Sequence, residues 1–271
     1  MKPADLFKGM LGAALLAAAA GAWAAGAALR LDRAQNDVRD VVSLQAGARS
    51  FVNYCLNCHS ASMMRYNRLG DIGLSEDQIK DHLLFSADKV GELMTVGLTR
   101  KDGKEWFGAA PPDLSVIARL RGADWLYTYL RTFYRDPSTT TGWNNLVFDR
   151  VAMPHVLWTL QGEYVAEAKE LKTDREARSA HAQAKSFAAL SEESEGDNKR
   201  YLLRTLRLQT AGSMSPAEYD GMVRDLVNFL VWMGEPVQQT RVRIGVMVLL
   251  VLLVLLVLSR LLYREYWKDV H

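Results

Sequence analysis

The chain has only two cysteines, and they stand three residues apart with a histidine directly after them: Cys55-Leu56-Asn57-Cys58-His59. On one helical turn, two thiols at this spacing can both add to the vinyl groups of a haem. The imidazole that follows then meets the iron as an axial ligand. Three other uses of the motif are weaker. A structural zinc site needs about four protein ligands, and no second Cys/His knuckle exists elsewhere in the sequence. A thioredoxin-like redox pair belongs to a βαβ setting, and the strand patterns for one are missing. A disulfide between residues three apart closes a very short loop and stabilises little. The motif therefore reads as the attachment point of one covalently bound haem c.

The two ends of the chain say where such a domain sits. Lys2 and Lys8 precede an uncharged, alanine-rich run over residues 9–29, and Ala22-Trp23-Ala24 fits a small-x-small cleavage site. Residues 1–24 are expected to be a signal peptide. The run is long enough to be an uncleaved anchor, but its weakly apolar Ala and Gly favour removal. At the other end, residues 244–258 contain no charged or strongly polar side chain, and Leu261-Leu262-Tyr263 extends the apolar length. About twenty residues match the roughly 30 Å hydrocarbon core of a bilayer. The expected layout is an extracytoplasmic domain over 25–240, one transmembrane helix over 241–263 and a cytoplasmic tail over 264–271. A formal net charge of +2 with dispersed basic residues makes no case for nucleic acid.

Between the ends, the pattern is mostly helical. Apolar periodicity predicts a helix over 44–59, with Ser43 as its N-cap. Ser75-Glu76-Asp77-Gln78 has capping-box spacing and should start a helix through about Phe85. Residues 86–96 are a second, short amphipathic candidate, and Lys101-Asp102-Gly103-Lys104 reads as a turn. Pro111-Pro112 should be stiff and extended, with a helix to about Arg119 soon after it. An aromatic-rich helix is expected over 123–134, then a loop over 138–145. Residues 163–199 shift to Ala, Glu, Lys, Arg and Ser and read as a surface insertion, in part a solvated helix. Ser215-Pro216-Ala217-Glu218 starts a helix with an apolar stripe that includes Tyr219, Val223, Leu226, Phe229 and Leu230.

A haem that only carries electrons is usually six-coordinate, and a methionine opposite the histidine raises its potential. Met63 and Met64 follow His59 too closely to reach the opposite face, and Met222 and Met233 fit a packing stripe. Met94 and Met214 remain open. Met153, stiffened by Pro154 and set in a loop, has suitable local chemistry; His155 is its rival and would make a bis-histidine haem. His82, His181 and His271 read as surface residues.

Five landmarks now occur in one order: the 55–59 motif, Ala110-Pro111-Pro112-Asp113-Leu114-Ser115, Arg119-Leu120-Arg121, Met153-Pro154, and Tyr219-Asp220 followed by Gly234-Glu235-Pro236. With the C-terminal span, they resemble the cytochrome c1 family, the haem subunits of bacterial bc1 complexes, over essentially the whole mature chain. The resemblance implies a mainly α, cytochrome-c-like haem domain with loop insertions plus a single C-terminal transmembrane helix. It implies Met153 as the sixth ligand beside Cys55, Cys58 and His59. Arg121 would pair with a haem propionate, Trp125 would be an aromatic beside the haem, and Pro111 and Pro112 would line its edge.

The function so implied is that of a subunit of a ubiquinol–cytochrome c reductase. It takes electrons from the Rieske iron–sulfur protein and passes them to a cytochrome c. Cytochrome b, the Rieske subunit, cytochrome c and the lipid bilayer are its expected partners, in a dimeric complex. The expected location is the bacterial inner membrane, crossed once, with the haem domain on the periplasmic side. Two other readings carry different expectations. A haem enzyme needs an open iron position, and a membrane-anchored c-type subunit of a terminal oxidase would travel with a copper–haem partner.

Overall fold

Asp40 starts the first helix, because its carboxylate accepts a hydrogen bond from the Ser43 backbone N–H at 3.1 Å and so satisfies an otherwise orphaned donor. In the computed structural model, which describes residues 30–184, 187–195 and 198–268, this helix α1 spans Val41–Ser50. The signal peptide expected over 1–24 and His271 lie outside the described residues. Ser43 is not the cap expected of it. It sits inside the first turn, buried, and its hydroxyl donates to Asp225 Oδ1 at 2.7 Å while Asn228 Nδ2 donates to it at 3.0 Å. The helix does not run on as α to residue 59; it widens into a π-helical turn, Phe51–Cys55, and so delivers the first cysteine.

Strand β1 (Ala61–Arg65) pairs antiparallel with a short β2 (Leu93–Met94), and a 3-10 helix, Tyr66–Ile72, follows β1. Between them lies α2 (Glu76–His82), whose capping box joins Ser75 and Gln78 as expected; it ends three residues short of Phe85. The helix expected over 86–96 does not form. Carbonyls of Val90 and Glu92 instead accept from the Asn67 and Tyr66 N–H groups, so the segment serves as an edge partner. The turn expected over 101–104 is helical: α3 (Arg100–Phe107) is capped by Thr99, whose hydroxyl accepts from Asp102 N. Gly103 is needed there for close approach, since a Cβ would lie 2.6 Å from Pro111 Cδ.

Two short helices, α4 (Ile117–Arg121) and α5 (Ala123–Arg131), meet at Gly122, whose φ of +87° lets the chain turn between them. The aromatic stretch after α5 leaves the helix. Phe133–Arg135 is a strand, β3, antiparallel to β4 (Trp143–Asn145), which occupies the end of the expected loop. The fully buried Asn145 supports this corner by donating to Tyr129 O at 2.7 Å. After α6 (Trp158–Gln161), the chain enters β5 (Gly162–Leu171). Beyond it come α7 (Asp174–Gln183), β6 (Ala188–Glu195) and β7 (Asn198–Ala211).

Within 163–199 the part expected as a solvated helix is α7, of which only Ala177 is buried, and the rest is mainly strand, which the expectation did not include. The strands were hidden because their buried positions carry small or isolated apolar residues among charges. Ala168–Thr205 clusters as a unit of its own, in which β6 pairs antiparallel with β7 and Leu171, Ala177, Ala188, Leu190, Tyr201 and Leu203 form a small core. The other unit comprises Leu31–Glu167 and the residues from Leu206 onward. In it β3 pairs antiparallel with β4 and parallel with β5. The start of β5 lies so near the end of β7 that a Cβ on Gly162 (φ +93°) would fall 2.3 Å from Thr210 O.

The larger unit is organised around α8 (Pro216–Gly234), which starts with the Ser215/Glu218 capping box and a proline in the first turn. Its apolar stripe of Tyr219, Val223, Leu226, Phe229 and Leu230 is buried as the sequence predicts. Helix α1 crosses it closely. Phe51 and Phe229 have ring centroids 5.5 Å apart, and a Cβ on Gly47 would lie 2.1 Å from Asp225 O. Helix α9 (Gln238–Tyr266) has 29 residues and buries none of its side chains within the protein. At about 1.5 Å per residue it is long enough to cross a bilayer, whose lipid would cover its apolar surface. The fold is thus mainly α, with one long apolar C-terminal helix.

Candidate functional site

The π-turn hands the chain to a single tight loop in which Cys58 N and His59 N both donate to Cys55 O, at 3.1 and 2.9 Å. Both thiols are free, and with His59 they line an apolar cavity of ≈ 340 Å³, within the range of roughly 300–1,000 Å³ usual for cofactor pockets. Burial pushes the Cys55 thiol up to about 12 and raises that of Cys58, so both stay protonated. Burial also lowers the pKa of His59 and keeps its ring neutral. Its Nδ1 lies 2.7 Å from Pro112 O. A carbonyl can only accept, so Nδ1 carries the proton and Nε2 keeps its lone pair.

The proline loop that supplies this carbonyl is stitched to the strand following the motif. Leu114 N donates to Ser60 O at 2.8 Å, and Met63 N donates to Ser115 Oγ at 3.0 Å. The Asp113 carboxylate accepts from Ser62 N and Ser115 N, each at 2.8 Å. Partial burial pushes the Asp113 carboxyl upward, but the hydrogen bonds from Ser115 and Ser62 outweigh it and hold it below the usual range. Pro111 and Pro112 line the cavity.

The rest of the lining includes Arg121, Trp125, Tyr129 and the 151–154 loop with Met153. Among the described residues, Met153 is the only methionine on the cavity wall. Met94 is fully buried elsewhere, in β2, and Met214 is not part of the lining. His155, the rival ligand, is not on the wall either. It is buried with its ring stacked on Phe133 (4.8 Å, 3°) and edge-on to Trp143 (5.1 Å), and burial pushes its pKa down to about 4.

The two arginines of α4 have separated roles. Arg119 pairs with Glu235 at 2.6 Å, whereas Arg121 is exposed at the cavity rim and makes no ion pair among the described residues. The Arg121 guanidinium lies 5.0 Å from the centre of the Trp125 ring, and Trp125 stacks on Tyr129 at 4.8 Å. Tyr129 Oη donates to Met153 Sδ at 3.4 Å. Nothing in the motifs singles out Tyr129 or the Pro112 carbonyl. The one available signal was the four-residue spacing of Trp125 and Tyr129, which puts them on one face of α5.

Two thiols, a neutral imidazole with a bare nitrogen, a thioether and a rim guanidinium around apolar walls make a donor set that suits haem. Comparison with known proteins agrees. The Cytochrome C1 family model matches residues 212–270. The chain is 46% identical over 258 residues to a protein of Nitrosomonas europaea named ammonia monooxygenase gamma subunit, covering 95% of this chain and 96% of that one. It is 43% identical over 258 residues to the cytochrome c1 of Allochromatium vinosum, with the same coverage. With the cytochrome c1 of Rhodospirillum rubrum it shares 27% identity over 251 residues, 85% of this chain and 83% of that one. Near-full-length similarity and a cavity fitted to haem lead to one assignment: the chain belongs to the cytochrome c1 family.

Proposed function

We propose that the protein is the cytochrome c1 subunit of a bc1 complex, carrying one haem c and passing electrons from a Rieske iron–sulfur protein to a cytochrome c. The observation that carries this reading is that Cys55, Cys58, His59 and Met153 all line one apolar cavity. Bound there, the haem supplies a one-electron iron couple. The chain's own residues bind, orient and tune it, and make or break no substrate bond.

In this reading, Cys55 and Cys58 would form the thioether links, and His59 Nε2 and Met153 Sδ would hold the iron. Pro112 O fixes the His59 tautomer, the kind of outer contact that orients a ligating imidazole. Arg121 would hold a propionate through two parallel hydrogen bonds, with its guanidinium resting against the Trp125 ring. A thioether ligand and an apolar surround both favour the reduced state, which makes acceptance of an electron downhill. Helix α9 anchors the domain in the inner membrane, with the haem on the periplasmic side. Cytochrome b and the Rieske protein are its neighbours in a dimeric complex.

A reduced-minus-oxidised spectrum with redox titration on the purified membrane complex tests the reading. A six-coordinate c-type haem at high potential, co-purifying with a b-type cytochrome and an iron–sulfur protein, is the expected result. Rapid carbon monoxide binding to the ferrous form would instead indicate an open-site haem enzyme, and a copper–haem partner would indicate a terminal oxidase subunit. The name of the Nitrosomonas relative raises one more outcome, co-purification with a monooxygenase, which the same experiment reads.

A further inference from the structure

We infer that Tyr129 is a positioning residue for the Met153 thioether, holding it through one of the sulfur's two lone pairs and raising the reduction potential of the haem. The inference rests on Met153 being the sixth ligand. A methionine side chain has three rotatable bonds and no preferred direction in a loop, so something has to choose the rotamer that points sulfur at the metal. The Tyr129 hydroxyl, 3.4 Å from Met153 Sδ, is the polar contact the structure offers to that atom.

The donor is itself fixed. Trp125 lies flat against one side of the Tyr129 ring (4.8 Å, 12°), and Phe133 meets it edge-on at 5.1 Å. Phe133 in turn stacks on His155, two residues beyond Met153. The loop is thus gripped at two points by aromatics spaced four apart, Tyr129 at the sulfur and Phe133 at the imidazole. Divalent sulfur has one lone pair for the hydrogen bond and keeps the other for coordination. A donor on the first draws electron density from the sulfur and makes it a poorer donor, which favours the reduced metal. Outer-shell hydrogen bonding is a recognised control of haem potential.

Tyr129→Phe removes the hydroxyl and keeps the stacked ring, so the fold is retained. Tyr127→Phe is the control: its ring faces the Arg131 guanidinium at 4.3 Å and is not part of the cavity lining. Both variants are measured in the full membrane complex by redox titration and by the weak far-red absorption of a ferric, thioether-ligated haem. The expected result for Tyr129→Phe is a lower midpoint, equivalent to about a two- to tenfold shift toward the ferric form at fixed ambient potential. The far-red band should move while covalent attachment is unchanged, and Tyr127→Phe should do neither. An unchanged midpoint and band in Tyr129→Phe, or equal shifts in both variants, overturns the inference while leaving Met153 as ligand. Absence of the far-red band from the unaltered protein overturns the ligand assignment first, and the role of Tyr129 with it.

Discussion

Each of the residues around the cavity makes a separable contribution, and substitution separates attachment from tuning. Changing Cys55 and Cys58 together to Ser should abolish covalent haem, read as loss of haem staining after denaturing electrophoresis. Met153→Leu should leave the stain intact but drop the midpoint potential sharply, because an apolar side chain of similar size replaces the sulfur; an unchanged midpoint would refute the ligand assignment. The attachment motif was legible in the sequence because all its parts are consecutive. Met153 was not singled out by local chemistry alone, since Met94 and Met214 remained open until the fold showed which methionine reaches the cavity. The Pro112 carbonyl could not be read at all: a backbone acceptor has no side-chain signature, and only the fold brings it within 2.7 Å of a residue 53 positions earlier.

Among the elements, α1 and α8 were legible because both carry long 3.6-residue apolar stripes, and α8 also has an unambiguous start. The strands were not. β3 and β4 have three residues each, too short for a period of two to show against an adjoining helical pattern. The longer β5 to β7 sit in charged sequence that resembles a solvated helix by composition. Gly103 suggested a turn when its actual use is to let Pro111 approach a helix. The crossing of α1 over α8 depends on a similar economy of volume at Gly47. Gly47→Ala forces a methyl group against the Asp225 carbonyl, with no flexible side chain to give way. We expect a loss of at least about 2 kcal/mol from overpacking, measurable as a lower denaturant midpoint. Because α1 continues into the π-turn, haem incorporation should fall with it.

For the whole molecule, function depends on how the unit that bears the cavity is joined to the long apolar helix α9. Glu235, at the junction of α8 and α9, accepts from both Arg119 of α4 and Arg241 of α9. Its side chain is 16% exposed, but those of Arg119 and Arg241 are 56% and 62% exposed, so salt screens both pairs from the arginine side. In the proposed function, Glu235→Gln should leave attachment and potential near those of the unaltered protein, yet slow haem reduction by quinol in the assembled complex. Flash or stopped-flow kinetics would show it, and an unchanged rate would remove Glu235 from this role. The apolar anchor was plain from sequence as a run of Leu and Val. Its ionic connection to α4 was not, because Arg119 and Glu235 are 116 residues apart.

That shared carboxylate makes the neck a bracket and not a leash. In the proposed function, a domain tied to its anchor through both arginines would leave the travelling to its redox partners, which would come to a port that stays where it is.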